Sequence, residues 1–216
     1  MKKNNQRNVY QFKILLKDVR PPVWRRIQVP ENYTFWDLHV AIQDSMGWSD
    51  CHLHEFNTVN IKPSKIKRIG IPDNEDDCCD VLPGWEEKIK EWFSLDENKA
   101  MNYTYDFGDN WDHRVELEKI IPESKDIKYP VCIKGKRACP LEDCGGAYGY
   151  ENMQEILKNP NHEEYDEMNE WVGGELDTEE FNLEDIEFDN PRKRLLMLDY
   201  FEEDKINRNI QERIEN

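Results

Sequence analysis

The chain is 216 residues long, which suits one large domain or one domain with a helical appendage. It is 38% hydrophobic and 35% charged, but 7 Trp, 9 Tyr and 8 Phe provide the bulk for a folded core. The formal net charge of −17 argues against general attraction to DNA or to anionic membranes, and no apolar run approaches the roughly 18 residues of a membrane helix.

In the first third of the chain, alternating hydrophobicity and turn residues predict three strands, over residues 9–19, 23–29 and 51–59. Arg20-Pro-Pro separates the first two strands, because two prolines cannot continue a hydrogen-bonded ladder. Thr34, followed three residues later by Asp37, predicts a capped helix over Phe35–Met46. Gly47 is expected to end this helix.

The middle of the chain predicts a β-hairpin. Residues 60–84 are interrupted by Pro and Gly and are expected to be irregular, and residues 85–95 have helical spacing. Residues 101–107 and 111–121 then alternate around the turn Gly108-Asp109-Asn110, which predicts two paired strands with one buried face. A loop bearing Pro, Gly and Cys is expected over residues 129–146, and the helices that follow are predicted roughly over residues 147–158, 161–172 and 191–214.

Strands therefore come mostly early and helices mostly late, which predicts an α+β fold with a mainly antiparallel sheet, packed helices and a helical C-terminal part. We expect a flexible basic N-terminus over residues 1–7, a single α+β domain over 8–190 and a C-terminal helix over 191–216. The broad apolar surface of that helix suits packing on its own domain or on a second copy of the chain. The oligomeric state stays open.

Charge is distributed unevenly along the chain. The first 30 residues carry eight Lys or Arg and one Asp, whereas residues 161–190 carry thirteen Asp or Glu and no Lys or Arg. The acidic tract suits either a solvated surface or a docking surface for a basic partner. The N-terminal residues lack the apolar run of a secretory signal, so we expect a cytoplasmic protein, whose six cysteines serve as thiols or metal ligands.

Several segments resemble one known family. Two are specific, Tyr105-Asp-Phe-Gly-Asp-Asn-Trp-Asp-His113 and Glu142-Asp-Cys-Gly-Gly146. The segments that carry the resemblance lie over residues 20–26, 46–48, 52–56, 103–113, 129–132 and 142–150. In this order they resemble the plasmid pRiA-four-b open-reading-frame-three-like family, over roughly residues 8–190.

The resemblance implies an α+β protein of bacteria or archaea, in a family with some members carried on plasmids or insertion sequences. It implies no established activity and supplies no catalytic residues. Some members are labelled resolvase-like, but this chain has no serine in a basic, DNA-facing setting and its net charge has the wrong sign for DNA.

Two sets of residues suggest metal chemistry. Cys132, Cys139 and Cys144 can wrap a structural Zn²⁺, although their spacing is not the paired C-x2-C signature. A fourth ligand would have to come from elsewhere in the chain, and His162 and the Cys78-Cys79 pair are candidates. Small buried thiols that pack a tight loop are the alternative. His52 and His54, two residues apart on a predicted strand, point to one side and can meet His113 around a metal, or each can simply accept a neighbour's hydrogen bond.

Polar residues cluster at the predicted turns. They form a candidate site that consists of Asp106, Asp109, Trp111, His113, Glu142 and Asp143. Paired carboxylates can share acid and base chemistry or hold Mg²⁺ or Ca²⁺. Carboxylates beside glycine turns also cap backbone N–H groups, and this structural role is the alternative.

Basic and aromatic residues alternate near the second strand. Arg20, Trp24, Arg25 and Arg26 can grip phosphate and stack on bases, or the arginine stems can cover aromatic faces within the fold. The acidic remainder of the chain opposes binding to nucleic acid.

The sequence thus favours a non-catalytic binding or interaction module with a protein partner. Its site is expected in the cleft between residues 106–113 and residues 132–150. The alternatives are a metal-dependent hydrolase that uses His113, Asp106 and Asp109 or the histidine pair, and a nucleic-acid-binding protein of a mobile element.

Overall fold

The computed structural model of the protein describes residues 7–59, 67–72, 81–174 and 176–198. Within these residues the strands are β1 Asn8–Leu16, β2 Trp24–Pro30, β3 His54–Thr58, β4 Arg68–Gly70, β5 Val81–Pro83, β6 Ala100–Tyr105, β7 Trp111–Pro122 and β8 Val131–Lys136. The helices are α1 Phe35–Met46, α2 Ile89–Trp92, α3 Gly146–Leu157, α4 Tyr165–Trp171 and α5 Pro191–Leu195, with a 3-10 turn at Leu183–Asp185. Among the helices of the described residues, none has the length and apolar character needed to cross a membrane.

All eight strands join one sheet, in the order β5-β4-β3-β6-β7-β1-β2-β8. Every pair is antiparallel except β4 with β5. The predicted α+β class is therefore confirmed, with more sheet and less helix than expected. The predicted helix over 191–214 is described only as α5 and the few residues after it, because residues 199–216 lie outside the described part of the chain.

Three predictions of local structure are wrong. The predicted loop over 129–146 contains β8, and the predicted irregular region over 60–84 contains β4 and β5. The predicted helix over 85–95 is reduced to Ile89–Trp92. β4, β5 and β8 exist because neighbouring strands supply hydrogen bonds, and this support has no signal in local periodicity.

The predicted hairpin is confirmed. β6 pairs with β7 so that Tyr105 lies opposite Trp111 and Met101 opposite Val115. The alternate residues of β7 from Trp111 to Leu117 are buried, as the pattern predicts. Phe107, the last residue of the first predicted strand, instead follows the end of β6 and is 49% exposed.

Helix α1 begins and ends where the sequence predicts. Thr34 accepts a hydrogen bond from the backbone N–H of Asp37 at 3.1 Å, and Asp37 accepts one from the backbone N–H of Thr34 at 2.8 Å. This reciprocal capping box satisfies two donors that the first turn leaves without intrahelical partners. Gly47 takes a left-handed conformation (φ 86°) and donates its backbone N–H to Gln43 O at 2.8 Å.

Helix α1 is covered on two sides, which its sequence did not indicate. One side packs on the sheet, and the other is covered by the segment that contains α5. Trp36 donates its indole N–H to Pro191 O at 2.8 Å, and Arg194 lies 2.7 Å from Asp44 Oδ1. The guanidinium of Arg194 also lies 3.5 Å from Asp50 Oδ2. Thus the last described segment is fastened to α1 at two points.

A buried polar cluster lies between α1 and the sheet. His39 Nδ1 lies 2.8 Å from Tyr103 Oη, and its Nε2 lies 2.8 Å from Asp50 Oδ1. The ring of His39 stacks on His54, with ring centroids 3.4 Å apart. Neither ring nitrogen of His54 has a hydrogen-bond partner among the described residues. Burial, and then the neighbouring His39, lower the pKa of His54 well below its ordinary value, so His54 is neutral in the folded protein.

Acid is therefore expected to destabilise the fold through His54. Below about pH 6.5 the unfolded chain binds a proton at this histidine that the folded chain excludes, so stability falls as the pH falls. Each such histidine contributes about 1.4 kcal/mol per pH unit. We expect the His54→Phe variant to lose less stability than the wild type between pH 7 and pH 5, as measured by urea unfolding. His162→Gln, at a partly exposed position, is the control, and equal losses in wild type and His54→Phe would contradict the prediction.

Candidate functional site

Three loops meet at one end of the β6–β7 hairpin. They comprise residues 49–53, residues 106–110 and residues 139–146. The backbone N–H of Asp106 donates to Leu53 O at 2.9 Å, which joins the first loop to the second. The backbone N–H of Gly145 donates to Asp109 Oδ2 at 3.1 Å, which joins the second to the third. We call this surface the three-loop cleft.

Glu142 fastens the third loop to the first. One carboxylate oxygen accepts the backbone N–H of Ser49 at 2.8 Å and also the Ser49 hydroxyl. The other accepts the hydroxyl of Tyr105 at 2.5 Å. Burial, and then this carboxylate, raise the pKa of Tyr105, so the tyrosine remains a neutral donor. Glu142 is therefore an anchor between loops, with its oxygen atoms already engaged.

Asp106 and Asp143 have carboxylate oxygens that face a histidine. His52 Nε2 lies 3.0 Å from Asp143 Oδ1 and 3.7 Å from Asp106 Oδ2. The other oxygen of Asp106 accepts the backbone N–H of Gly108 at 2.8 Å, which orients the carboxylate. Both aspartates take left-handed backbone conformations, with φ 57° at Asp106 and 58° at Asp143. No other set of three His, Cys, Asp or Glu side chains in the described ranges brings its donor atoms within 4.8 Å of one another.

The predicted six-residue site is thus divided by the structure. Asp106 and Asp143 face the cleft, whereas Asp109 and Glu142 accept hydrogen bonds that hold the loops, as the capping alternative predicts. Trp111 and His113 lie in the core instead, and both are almost wholly buried. Both lie on the buried face of β7, as the alternation predicts, and the buried face of a hairpin cannot also face a surface cleft.

His113 is a core residue rather than a ligand in this cleft. Its ring packs against Trp48 and Tyr103, and its Nδ1 lies 3.3 Å from Tyr103 O. Burial lowers the pKa of His113 to about 4. The predicted grouping of His113 with Asp106 and Asp109 is therefore wrong. The imidazole packs in the core on the buried face of β7, whereas the two aspartates lie in the loop 106–110.

The predicted histidine cluster is also wrong. β3 begins at His54, so His52 lies in a loop and the two side chains do not share a strand face. His54 stacks on His39 in the core, whereas His52 packs edge-on against Tyr105 and reaches the cleft. Of the three predicted histidines, only His52 joins an arrangement with ligand geometry. His39, which the sequence analysis did not single out, is the actual neighbour of His54.

The predicted cysteine site is not assembled among the described residues. Cys132, Cys139 and Cys144 are free thiols whose sulfur atoms do not form a three-donor group. Burial raises the pKa of Cys132, and raises the pKa of Cys139 and of Cys144 to about 12. Of the suggested fourth ligands, His162 lies beside Glu164 on the exterior, and Cys78-Cys79 lies outside the described residues.

Three of the four predicted nucleic-acid residues, Trp24, Arg25 and Arg26, make contacts within the fold. Arg25 is buried and donates to Ser45 O at 2.8 Å and to Lys136 O at 3.2 Å. Arg26 forms a two-point ion pair with Glu118 at 2.6 and 2.7 Å, and its guanidinium lies over the Trp24 ring. The interpretation of Arg25 as a phosphate contact is therefore wrong, because its guanidinium is enclosed. Arg20 is exposed.

A broad groove lies elsewhere, between the start of α1, residues 128–132 and the segment 183–195. Its volume is about 1550 Å³. Several polar groups along it already have partners within the fold: Asp37 caps α1, Trp36 bonds to Pro191, and Asp189 pairs with Arg194. We place the candidate site at the three-loop cleft, where donor atoms converge, rather than in this groove.

The chain matches the family described as plasmid pRiA4b ORF-3-like protein over residues 8–185. It is 32% identical over 170 residues to a protein described as uncharacterized protein y4hQ, from Sinorhizobium fredii, which covers 77% of this chain and 81% of that protein. The crystal structure of a protein of unknown function, MM3350 from Methanosarcina mazei Go1, is 47% identical with a TM-score of 0.77 and covers 85% of this chain and all of that one. The resemblance carried by the hairpin turn and the Glu142–Gly146 motif is thereby confirmed, and the chain belongs to the plasmid pRiA4b ORF-3-like family.

Proposed function

We propose that this protein is an interaction module that binds a partner segment at the three-loop cleft. The observation that carries this proposal is the presence of large apolar side chains beside the cleft carboxylates. Leu53 is 54% exposed, Phe107 49% and Tyr148 82%. Leu53 follows His52, Phe107 follows Asp106, and Tyr148 lies two residues after Gly146. Exposed aromatic and aliphatic groups on one surface are typical of sites that bind proteins.

The negative charge around these residues favours a basic partner. Asp143 is exposed at the cleft, and Asp106 presents one carboxylate oxygen. The chain as a whole carries a net charge of −17, and the acidic tract 161–190 follows α3 directly. A partner segment that combines Lys or Arg with apolar side chains therefore complements the surface in both charge and hydrophobicity. Asp109 and Glu142 keep the loops in place without a partner, so the surface is preformed.

A displayed library of random 12-residue peptides, selected on the purified chain, tests the proposal. We expect enriched peptides to combine Lys or Arg with aromatic or aliphatic residues. Their affinity for the Phe107→Ser variant should be about ten-fold or more lower, because truncation of an anchoring aromatic typically costs about 2 kcal/mol or more and about 1.4 kcal/mol is ten-fold. Ile120→Ser is the matched control, since Ile120 is also exposed but lies near the far end of β7.

The result can contradict the proposal in two ways. Peptides without basic residues would remove the charge argument. Peptides that bind wild type, Phe107→Ser and Ile120→Ser equally would place the binding surface away from the three-loop cleft. Thermal unfolding of the two variants checks that each retains the fold, which is expected because both side chains are exposed.

A further inference from the structure

We propose that His52, Asp106 and Asp143 bind one divalent transition-metal ion in the three-loop cleft. The inference goes beyond the docking function, because the ion would bind the free chain. His52 Nε2 lies 3.0 Å from one carboxylate oxygen and 3.7 Å from the other. Two ligand atoms that are each about 2.1 Å from an ion lie about 3.0 Å apart at a right angle and about 3.4 Å apart at the tetrahedral angle. The 3.0 Å separation fits a right angle at the ion, and the 3.7 Å separation fits a wider angle of about 124°. All three donor atoms lie within 4.8 Å of one another.

The histidine supports a ligand role over a simple hydrogen bond. Its Nε2 atom is buried, although the side chain as a whole is 30% exposed. No described residue partners this nitrogen in hydrogen-bond geometry, despite the two nearby carboxylates. The nitrogen therefore lies at ion-pair distance from two carboxylate oxygens without an aligned hydrogen bond to either. A metal ion would satisfy the nitrogen and both oxygens at once.

The three ligands are held in place by the backbone. Asp106 receives the N–H of Gly108 on its other oxygen and donates its own N–H to Leu53 O, one residue after His52. Asp143 follows Glu142, which is fastened to Ser49 and Tyr105. Loops fixed in this way bring ligands from three distant parts of the sequence to one position, and preorganised ligands are what a metal site requires.

The ligand set determines the class of ion. One imidazole with two carboxylates suits Zn²⁺ or Mn²⁺, whereas Mg²⁺ and Ca²⁺ prefer oxygen ligands alone. Three protein ligands leave coordination positions open for water or for a group from a bound partner. We therefore expect Zn²⁺ to bind and Mg²⁺ to compete poorly.

Calorimetric titration of the purified, untagged chain with Zn²⁺ tests the site. We expect one equivalent to bind, with affinity lowered more than about ten-fold in each of His52→Ala, Asp106→Asn and Asp143→Asn. Asparagine is chosen because it also tolerates a left-handed backbone, so the loops should persist. Asp126→Asn, at an exposed carboxylate in another turn, should bind like wild type.

Co²⁺ provides a second readout, because its absorption distinguishes thiolate from nitrogen and oxygen ligands. We expect no thiolate band and no change in the Cys139→Ser and Cys144→Ser variants. A thiolate band, or Zn²⁺ binding that survives His52→Ala and Asp143→Asn, would overturn the site, as would the absence of binding. The peptide selection above is run in EDTA, so its outcome and that of the titration are independent.

Discussion

The Gly146→Ala variant is expected to lose about 3 kcal/mol of unfolding free energy. Gly146 has φ 68°, and a Cβ atom built there approaches the carbonyl oxygen of Asp109 closer than 3.0 Å, a separation that real Cβ atoms essentially never show. The nearest atoms all belong to the backbone of Asp109, so rotation of a side chain cannot relieve the clash. The hairpin turn and the start of α3 would have to separate.

Gly173→Ala is the matched control for this prediction. Gly173 also has a positive φ, of 77°, but nothing lies within 4 Å of its ideal Cβ position. Its variant should pay only the backbone strain of about 1–2 kcal/mol. Urea unfolding measures both losses, and limited proteolysis of residues 139–146 reports whether the loop detaches locally. Equal losses with equal protease sensitivity would show that the close approach of Gly146 to Asp109 is not tight.

The Arg25→Met variant is expected to lose about 3 kcal/mol of stability. Arg25 donates to Ser45 O in the last turn of α1 and to Lys136 O on β8, and its guanidinium lies 4.3 Å from the centre of the Phe181 ring. The last carbonyls of a helix have no intrahelical partner, and a cation there also favours the helix dipole. Methionine fills a similar volume but removes the donor from the buried contact with Ser45 O and from the part-buried contact with Lys136 O.

Arg26→Met is the control, since the same substitution occurs one residue further along β2. Arg26 pairs with Glu118 where both side chains are partly exposed, and an ion pair in that setting contributes about 1 kcal/mol or less. Denaturant unfolding should therefore rank wild type and Arg26→Met close together, with Arg25→Met well below. If both variants lose the same stability, Arg25 does not act as a bridge between α1 and β8.

The acidic residues of the cleft show how one residue type takes two roles. Glu142 and Asp109 accept hydrogen bonds from neighbouring loops and hold the surface together. Asp106 and Asp143 each present an oxygen to His52 instead. The proposals for peptide docking and for metal binding both use the second pair, while the first pair keeps the cleft in shape without a ligand.

Local sequence was sufficient for elements whose signals are local. The capping box of Thr34 and Asp37, the end of α1 at Gly47 and the β6–β7 hairpin were all predicted from the residues themselves. These features depend on hydrogen bonds and alternation within about a dozen residues, so the chain encodes them directly. The two most specific family segments, residues 105–113 and 142–146, contain the β6–β7 turn and part of the third loop of the cleft. Their turn residues are also a local signal.

Only the tertiary structure decided which polar residues share a site. His52, Asp106 and Asp143 come from three loops that are brought together by the β3–β6 and β6–β7 pairings and by the anchor at Glu142. Likewise, β8 exists because β2 offers it hydrogen bonds, and His113 is buried because its face of β7 packs in the core. Such outcomes depend on contacts between residues distant in sequence, whose energies no local pattern records.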